Sequence, residues 1–89
     1  MSVIVRQAAA GTTESSDVYV EIEPAEGLSV EVESVVKAQF GLQISETAKQ
    51  VLKECGVENA MLRIADRGAL DCVIRARVET AVMRGREAD

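Results

Sequence analysis

Apolar and polar residues alternate at period two along Val18-Tyr19-Val20-Glu21-Ile22-Glu23, with Val18, Val20 and Ile22 on one face and Tyr19, Glu21 and Glu23 on the other. That alternation predicts a half-buried strand. Pro24-Ala25-Glu26-Gly27 supplies turn chemistry, and Leu28-Ser29-Val30-Glu31-Val32-Glu33 alternates again with Leu28, Val30 and Val32 inward. Two alternating runs about a turn predict an antiparallel hairpin. The period then lengthens. Ser34 is placed as an N-cap, and Val36, Phe40, Ile44, Ala48, Val51, Leu52 and Cys55 recur at three- and four-residue spacing up to the stop signal Gly56. They predict one long helix, which either tolerates Gly41 at about 1 kcal/mol or breaks there. Asn59-Ala60-Met61-Leu62-Arg63-Ile64-Ala65 reads as a third strand with Ala60, Leu62 and Ile64 inward, and Asp66-Arg67-Gly68 turns the chain. A second helix is predicted from about Ala69 to Arg84, its apolar stripe made of Leu70, Val73, Ile74, Val78, Ala81 and Val82.

Outside these elements the pattern is weak. Residues 1–17 read as a loose, flexible segment of small and polar residues, although Val3, Ile4 and Val5 suit a short extra edge strand. Residues 85–89 read as a polar, frayed tail. The order strand, strand, helix, strand, helix predicts a single α+β domain over residues 1–89. Its architecture would be a two-layer sandwich, a small, mostly antiparallel sheet with both helices on one face. The right-handed crossover rule enters only if the second and third strands run parallel.

Composition narrows the chemistry. The 89 residues contain one Phe, one Tyr and no Trp, so the core has to be aliphatic. No apolar run spans a bilayer and the N-terminus lacks a signal-peptide pattern, so the expected location is the cytoplasm, with no membrane contact. Cys55 and Cys72 lie in apolar helical patterns and are expected to be reduced core residues. With no His and no ligand spacing, no metal site is expected. Fifteen acidic against ten basic residues, a net charge of −5, speak against nucleic acid and for partners with positive patches.

No catalytic set is present: a triad lacks its base and the glycines are scattered. Glu21, Glu23, Glu31 and Glu33 read as solvated carboxylates, and Asp66 and Asp71 as caps or dipole partners of the second helix. Arg75 and Arg77 read as a solvated helix face or a docking surface. Two serines side by side, Ser15 and Ser16, fit either an ordinary turn or a modified, solvent-facing site.

Three segments carry a resemblance: Ala10-Gly11-Thr12-Thr13-Glu14-Ser15-Ser16-Asp17-Val18, Ser34-Val35-Val36-Lys37-Ala38-Gln39-Phe40-Gly41, and Asp66-Arg67-Gly68-Ala69-Leu70-Asp71-Cys72-Val73-Ile74-Arg75-Ala76-Arg77-Val78-Glu79. They are similar to Ala-Gly-Thr-Leu-Glu-Ser-(Ser or Gly)-Asp-Val, Ser-x-Val-x-x-Gln-Phe-Gly and Asp-Lys-Gly-Ala-Leu-Asp-Cys-(Val or Ile)-Leu-Arg-Ala-Arg-Leu-Glu of the citrate lyase acyl carrier family, the gamma subunit of that complex. Thr13, Arg67 and Ile74 depart from that pattern. The resemblance implies that Ser15, the serine after Glu14, bears covalently attached 2'-(5''-phosphoribosyl)-3'-dephospho-coenzyme A through a phosphodiester. A prosthetic-group transferase would attach it. The arm's thiol would hold acetyl and citryl groups as the alpha (acyl transferase) and beta (citryl lyase) subunits cleave citrate to oxaloacetate and acetate. On this reading the chain is a carrier and not an enzyme by itself. Two other readings are a carrier of malonate decarboxylase, which uses a similar prosthetic group, and a non-carrier adaptor with an unmodified serine.

Overall fold

The structure, a computed structural model, describes residues 3–34 and 38–87. Its elements are β1 (Ala8–Gly11), β2 (Val18–Glu23), β3 (Leu28–Ser34), α1 (Ala38–Glu54), β4 (Ala60–Asp66) and α2 (Asp71–Gly85). They form the expected two-layer α+β architecture, a four-stranded sheet in the order β1-β2-β4-β3 with the two helices packed against it and each other.

The predicted hairpin does not form. β4 lies between β2 and β3, antiparallel to β2 (Val20↔Ile64) and parallel to β3 (Val32↔Ile64). Burial explains the exchange. Ala60, Leu62 and Ile64 of β4 are buried, whereas β3 is only half-buried and Leu28, expected inward, is 41% exposed. The more apolar strand gains most from having a neighbour on either side, and the polar one tolerates the edge. The turn before β3 caps the end of β4 instead of closing on β2: the Gly27 N–H donates to Asn59 Oδ1 (2.9 Å) and the Ala60 N–H to the Gly27 carbonyl (2.9 Å). The parallel β3–α1–β4 unit is thus the place where the crossover rule applies.

The sequence also misplaced the edge strand. Ala8–Gly11, not Val3–Val5, pairs with β2 (Ala10↔Val20), so this part of residues 1–17 is regular strand. Its small side chains let α2 come close. A Cβ at Gly85 would stand 3.1 Å from the Arg6 carbonyl, 3.2 Å from Ile22 Cγ2 and 3.5 Å from Ala8 Cβ. Ile4 is buried and bridges Arg86, and the Val5 and Arg6 N–H groups donate to the Gly85 carbonyl. Arg6 Nη1 donates to the carbonyls of Arg86 (2.6 Å) and Arg84 (3.2 Å), so a cation sits at the negative end of α2. Residues 85–87 are therefore tied down, and the frayed tail of the sequence reading is corrected for them; residues 88–89 lie outside the described residues.

The core is aliphatic, as composition demanded. Val18, Val20 and Ile22 of β2, Ala60, Leu62 and Ile64 of β4, Ile44, Ala48, Val51 and Leu52 of α1, and Ile74, Val78, Ala81 and Val82 of α2 are buried together. The helix α1 runs unbroken through Gly41. Ser34, placed as its N-cap, instead ends β3; Val36 and the Phe40 side chain lie outside the described residues. Leu70 is 71% exposed rather than in the stripe, because it precedes α2 in extended conformation and does not share the helical phase. Cys55 packs at the core's margin, and burial pushes its thiol pKa up; Cys72 is exposed, contrary to expectation.

Candidate functional site

Ser15 stands in the loop 12–17 that joins β1 to β2, the one place where these antiparallel neighbours connect directly. The Asp17 N–H donates to the Glu14 carbonyl (3.1 Å), which closes a turn with Ser15 and Ser16 at its two central positions. Ser16 has φ 67°, the left-handed region that glycine enters freely and other residues seldom do. The resemblance allowed Ser or Gly at this second position and required Ser at the first. The turn supplies the physical reason: one position is selected for backbone, the other is free to be selected for its side chain. Both side chains are exposed.

Asp17 organises the loop. Its carboxylate accepts hydrogen bonds from Thr12 Oγ1 (2.7 Å), from its neighbour's N–H at Val18 (2.7 Å), and from Arg77 through Nε (3.1 Å) and Nη2 (3.2 Å). Thr12 Oγ1 in turn accepts the Glu14 N–H (3.2 Å). These bonds, led by the one from Thr12, hold the Asp17 pKa down to about 2. The loop also leans on the β4–α2 connection, where the Ser16 N–H donates to the Arg67 carbonyl (2.8 Å) and the Arg67 N–H to the Asp17 carbonyl (3.0 Å). Gly11 makes this closure feasible. A Cβ there would fall 1.8 Å from the Val18 carbonyl oxygen and 3.2 Å from Arg77 Cδ, and its φ is 89°.

Arg77 is therefore engaged in a two-bond fork, which corrects its reading as a solvated helix face. Arg75 likewise meets Glu54 of α1 at 2.8 Å. Asp66, read as a cap, is 2% exposed and accepts the Ser34 hydroxyl (2.9 Å) and the Ala69 N–H (3.0 Å). Asp71 accepts Thr47 Oγ1 (2.8 Å), which joins the two helices. So the three segments that carry the resemblance converge on one end of the sheet. Ser34 meets Asp66, Arg67 meets Ser16, and Arg77 meets Asp17. These contacts were hidden from sequence reasoning because their partners are far apart in the chain.

The carboxylates of the open sheet face sit around Arg63, with Glu23 at 2.7 Å and Glu31 at 3.6 Å, while Glu33 lies 3.6 Å from Arg67. They are a solvated ion-pair row. The loop's hydrogen bonds run through Thr12, Glu14, Ser16 and Asp17, and Ser15 is exposed. Ser15 is thus an exposed primary alcohol at a central position of a shaped turn.

The chain is similar to known proteins. A carrier from Escherichia fergusonii named citrate lyase acyl carrier protein is 52% identical over 86 residues, covering 94% of this chain and 89% of that protein. A namesake from Haemophilus influenzae is 49% identical over 81 residues, covering 91% and 85%. The chain belongs to the citrate lyase acyl carrier protein family. Residues 5–85 also match the acyl carrier family model described as malonate decarboxylase delta subunit, so the chain falls within that carrier family too. Among solved structures, a chain of a Pseudomonas malonate decarboxylase hetero-tetramer in complex with malonate shares the fold at TM-score 0.75 and 24% identity, covering 89% of this chain and 82% of that one. Members of the citrate lyase family are named as carriers, which is the coarse role this chain takes. No described helix is long and apolar enough to cross a membrane.

Proposed function

We propose that this chain is the acyl carrier subunit of citrate lyase, working in the cytoplasm with alpha and beta catalytic subunits, and that Ser15 Oγ is the attachment point of its phosphoribosyl-dephospho-coenzyme A arm. The observation that carries this reading is the turn itself, which leaves Ser15 exposed at a central position while the Thr12 and Asp17 side chains and the Glu14 and Ser16 N–H groups are hydrogen-bonded. In the attachment step Ser15 Oγ attacks the phosphorus of a phosphoanhydride donor. The new O–P bond forms as the bond to the leaving pyrophosphate breaks, and the serine proton passes to a base of the transferase. Once bound, the arm supplies a thiol for acyl thioesters. The chain's own residues hold its root in place. Because the loop is cross-linked to β4 and α2, the swing between catalytic sites belongs to the arm and not to the backbone. Tethering raises the local concentration of the acyl group to the order of mM, which makes each transfer close to intramolecular.

The match to the malonate decarboxylase family model supports a second reading, a carrier for that enzyme. The two are separated by which acyl group the loaded protein accepts. Incubation with the transferase and its donor tests the attachment itself. Wild type and Ser16→Ala should gain one arm mass and Ser15→Ala none; labelling of Ser15→Ala would overturn the assignment.

A further inference from the structure

We propose that the Arg77–Asp17 pair is a positioning device for Ser15, holding the turn in the shape that the attaching enzyme binds, so that this enzyme recognises a folded corner of the domain and not a run of sequence. The inference rests on the reading of Ser15 as the attachment point.

Three observations carry it. The fork from Arg77 Nε and Nη2 meets both oxygens of Asp17, a two-point geometry that fixes direction as well as distance. The same carboxylate holds Thr12 Oγ1, whose oxygen takes the Glu14 N–H, so the grip passes directly into the residue preceding Ser15. And the Arg77 stem reaches the loop through the gap left by the missing Cβ of Gly11.

Stability does not account for the arrangement. The helix α2 is already held by buried Ile74, Val78, Ala81 and Val82, so its seating on the sheet does not depend on the pair. What the pair does supply is order in a short exposed loop containing a left-handed serine. A turn held in its bound shape spares the attaching enzyme the cost of selecting that shape from an ensemble. Arg75 offers an internal contrast. On the same helix as Arg77, it pairs instead with Glu54 of α1 at 2.8 Å, away from the loop.

The test measures steady-state attachment on the full chain, using the transferase from the same cells and its activated donor. Temperatures are kept well below the melting point of every variant. For Arg77→Gln the KM for the carrier should rise on the order of tenfold while kcat changes little, as expected when only the population of the competent turn falls. Arg77→Lys, which keeps the charge but loses the fork, should lie between it and wild type. Arg75→Gln should match wild type. Combining Asp17→Asn with Arg77→Gln should do no more harm than the worse single change, because both remove one device. Wild-type KM in Arg77→Gln, or an equal rise in Arg75→Gln, would overturn the inference. If Ser15→Ala accepts the group in the same assay, the attachment reading fails; if it does not and Arg77→Gln behaves as wild type, only the positioning role fails.

Discussion

Arg77, on the helix α2, closes a two-bond fork on Asp17, sixty positions earlier in the chain. That contact turns the β1–β2 loop from a loose connection into a corner shared by sheet and helix. It also joins the first and third of the segments that carry the family resemblance.

The pair has a pH signature. The Asp17 carboxyl is depressed to about 2 from an ordinary 3.8, so its contribution is fully present above about pH 4 and is lost as pH falls through about 2. A carboxyl-detected NMR titration should find Asp17 ionised throughout the neutral and mildly acidic range, with the amides of Glu14 and Val18 moving only as Asp17 takes up its proton. An ordinary midpoint near 3.8 would mean that the hydrogen bonds of Thr12, Val18 and Arg77 do not persist in solution.

The start of α2 separates two leucine-sized residues four positions apart. Ile74 is buried, and Ile74→Ala should destabilise the domain by roughly 2–5 kcal/mol. Leu70→Ala, at an exposed site before the helix begins, should change stability by no more than about 0.5 kcal/mol. Thermal or urea melts of both variants decide it. Equal losses would place Leu70 in the core, as the periodicity alone suggested.

How far the chain could be read in advance follows from the range of the interactions. Alternation at Val18–Ile22 and Leu62–Ile64, and the helical spacing of Ile44, Ala48, Val51 and Leu52, report whether each segment has a buried face, and those were legible. Which strand pairs with which is decided between segments. Nothing within β2 or β3 announces that β4 comes between them. Ala8–Gly11 escaped notice because alanine and glycine are poor strand formers, and only the closeness of Gly85 gives their smallness a purpose. The resemblance singled out Ser15 as the candidate. The reason for its place beside a residue tolerant of glycine lay in the backbone angle of Ser16. Arg77 read as a surface charge because its partner is remote.

Loop order should follow the hydrogen bonds. Backbone order parameters near 0.85 are expected across Ala8–Gly11 and through the Glu14–Asp17 turn, with lower values confined to Thr13. Values below about 0.6 through all of residues 8–17 would restore the picture of a swinging backbone segment and remove the reason for a preformed attachment corner.

The central claim is that this chain is a carrier loaded at Ser15, and intact mass with peptide mapping of the protein isolated from its own cells under citrate-fermenting conditions tests it most directly. The account predicts one added phosphoribosyl-dephospho-coenzyme A mass, localised by fragmentation to Ser15, with a fraction carrying a further acetyl group. An unmodified chain from cells with active citrate lyase, or the same mass localised to Ser16, would contradict it.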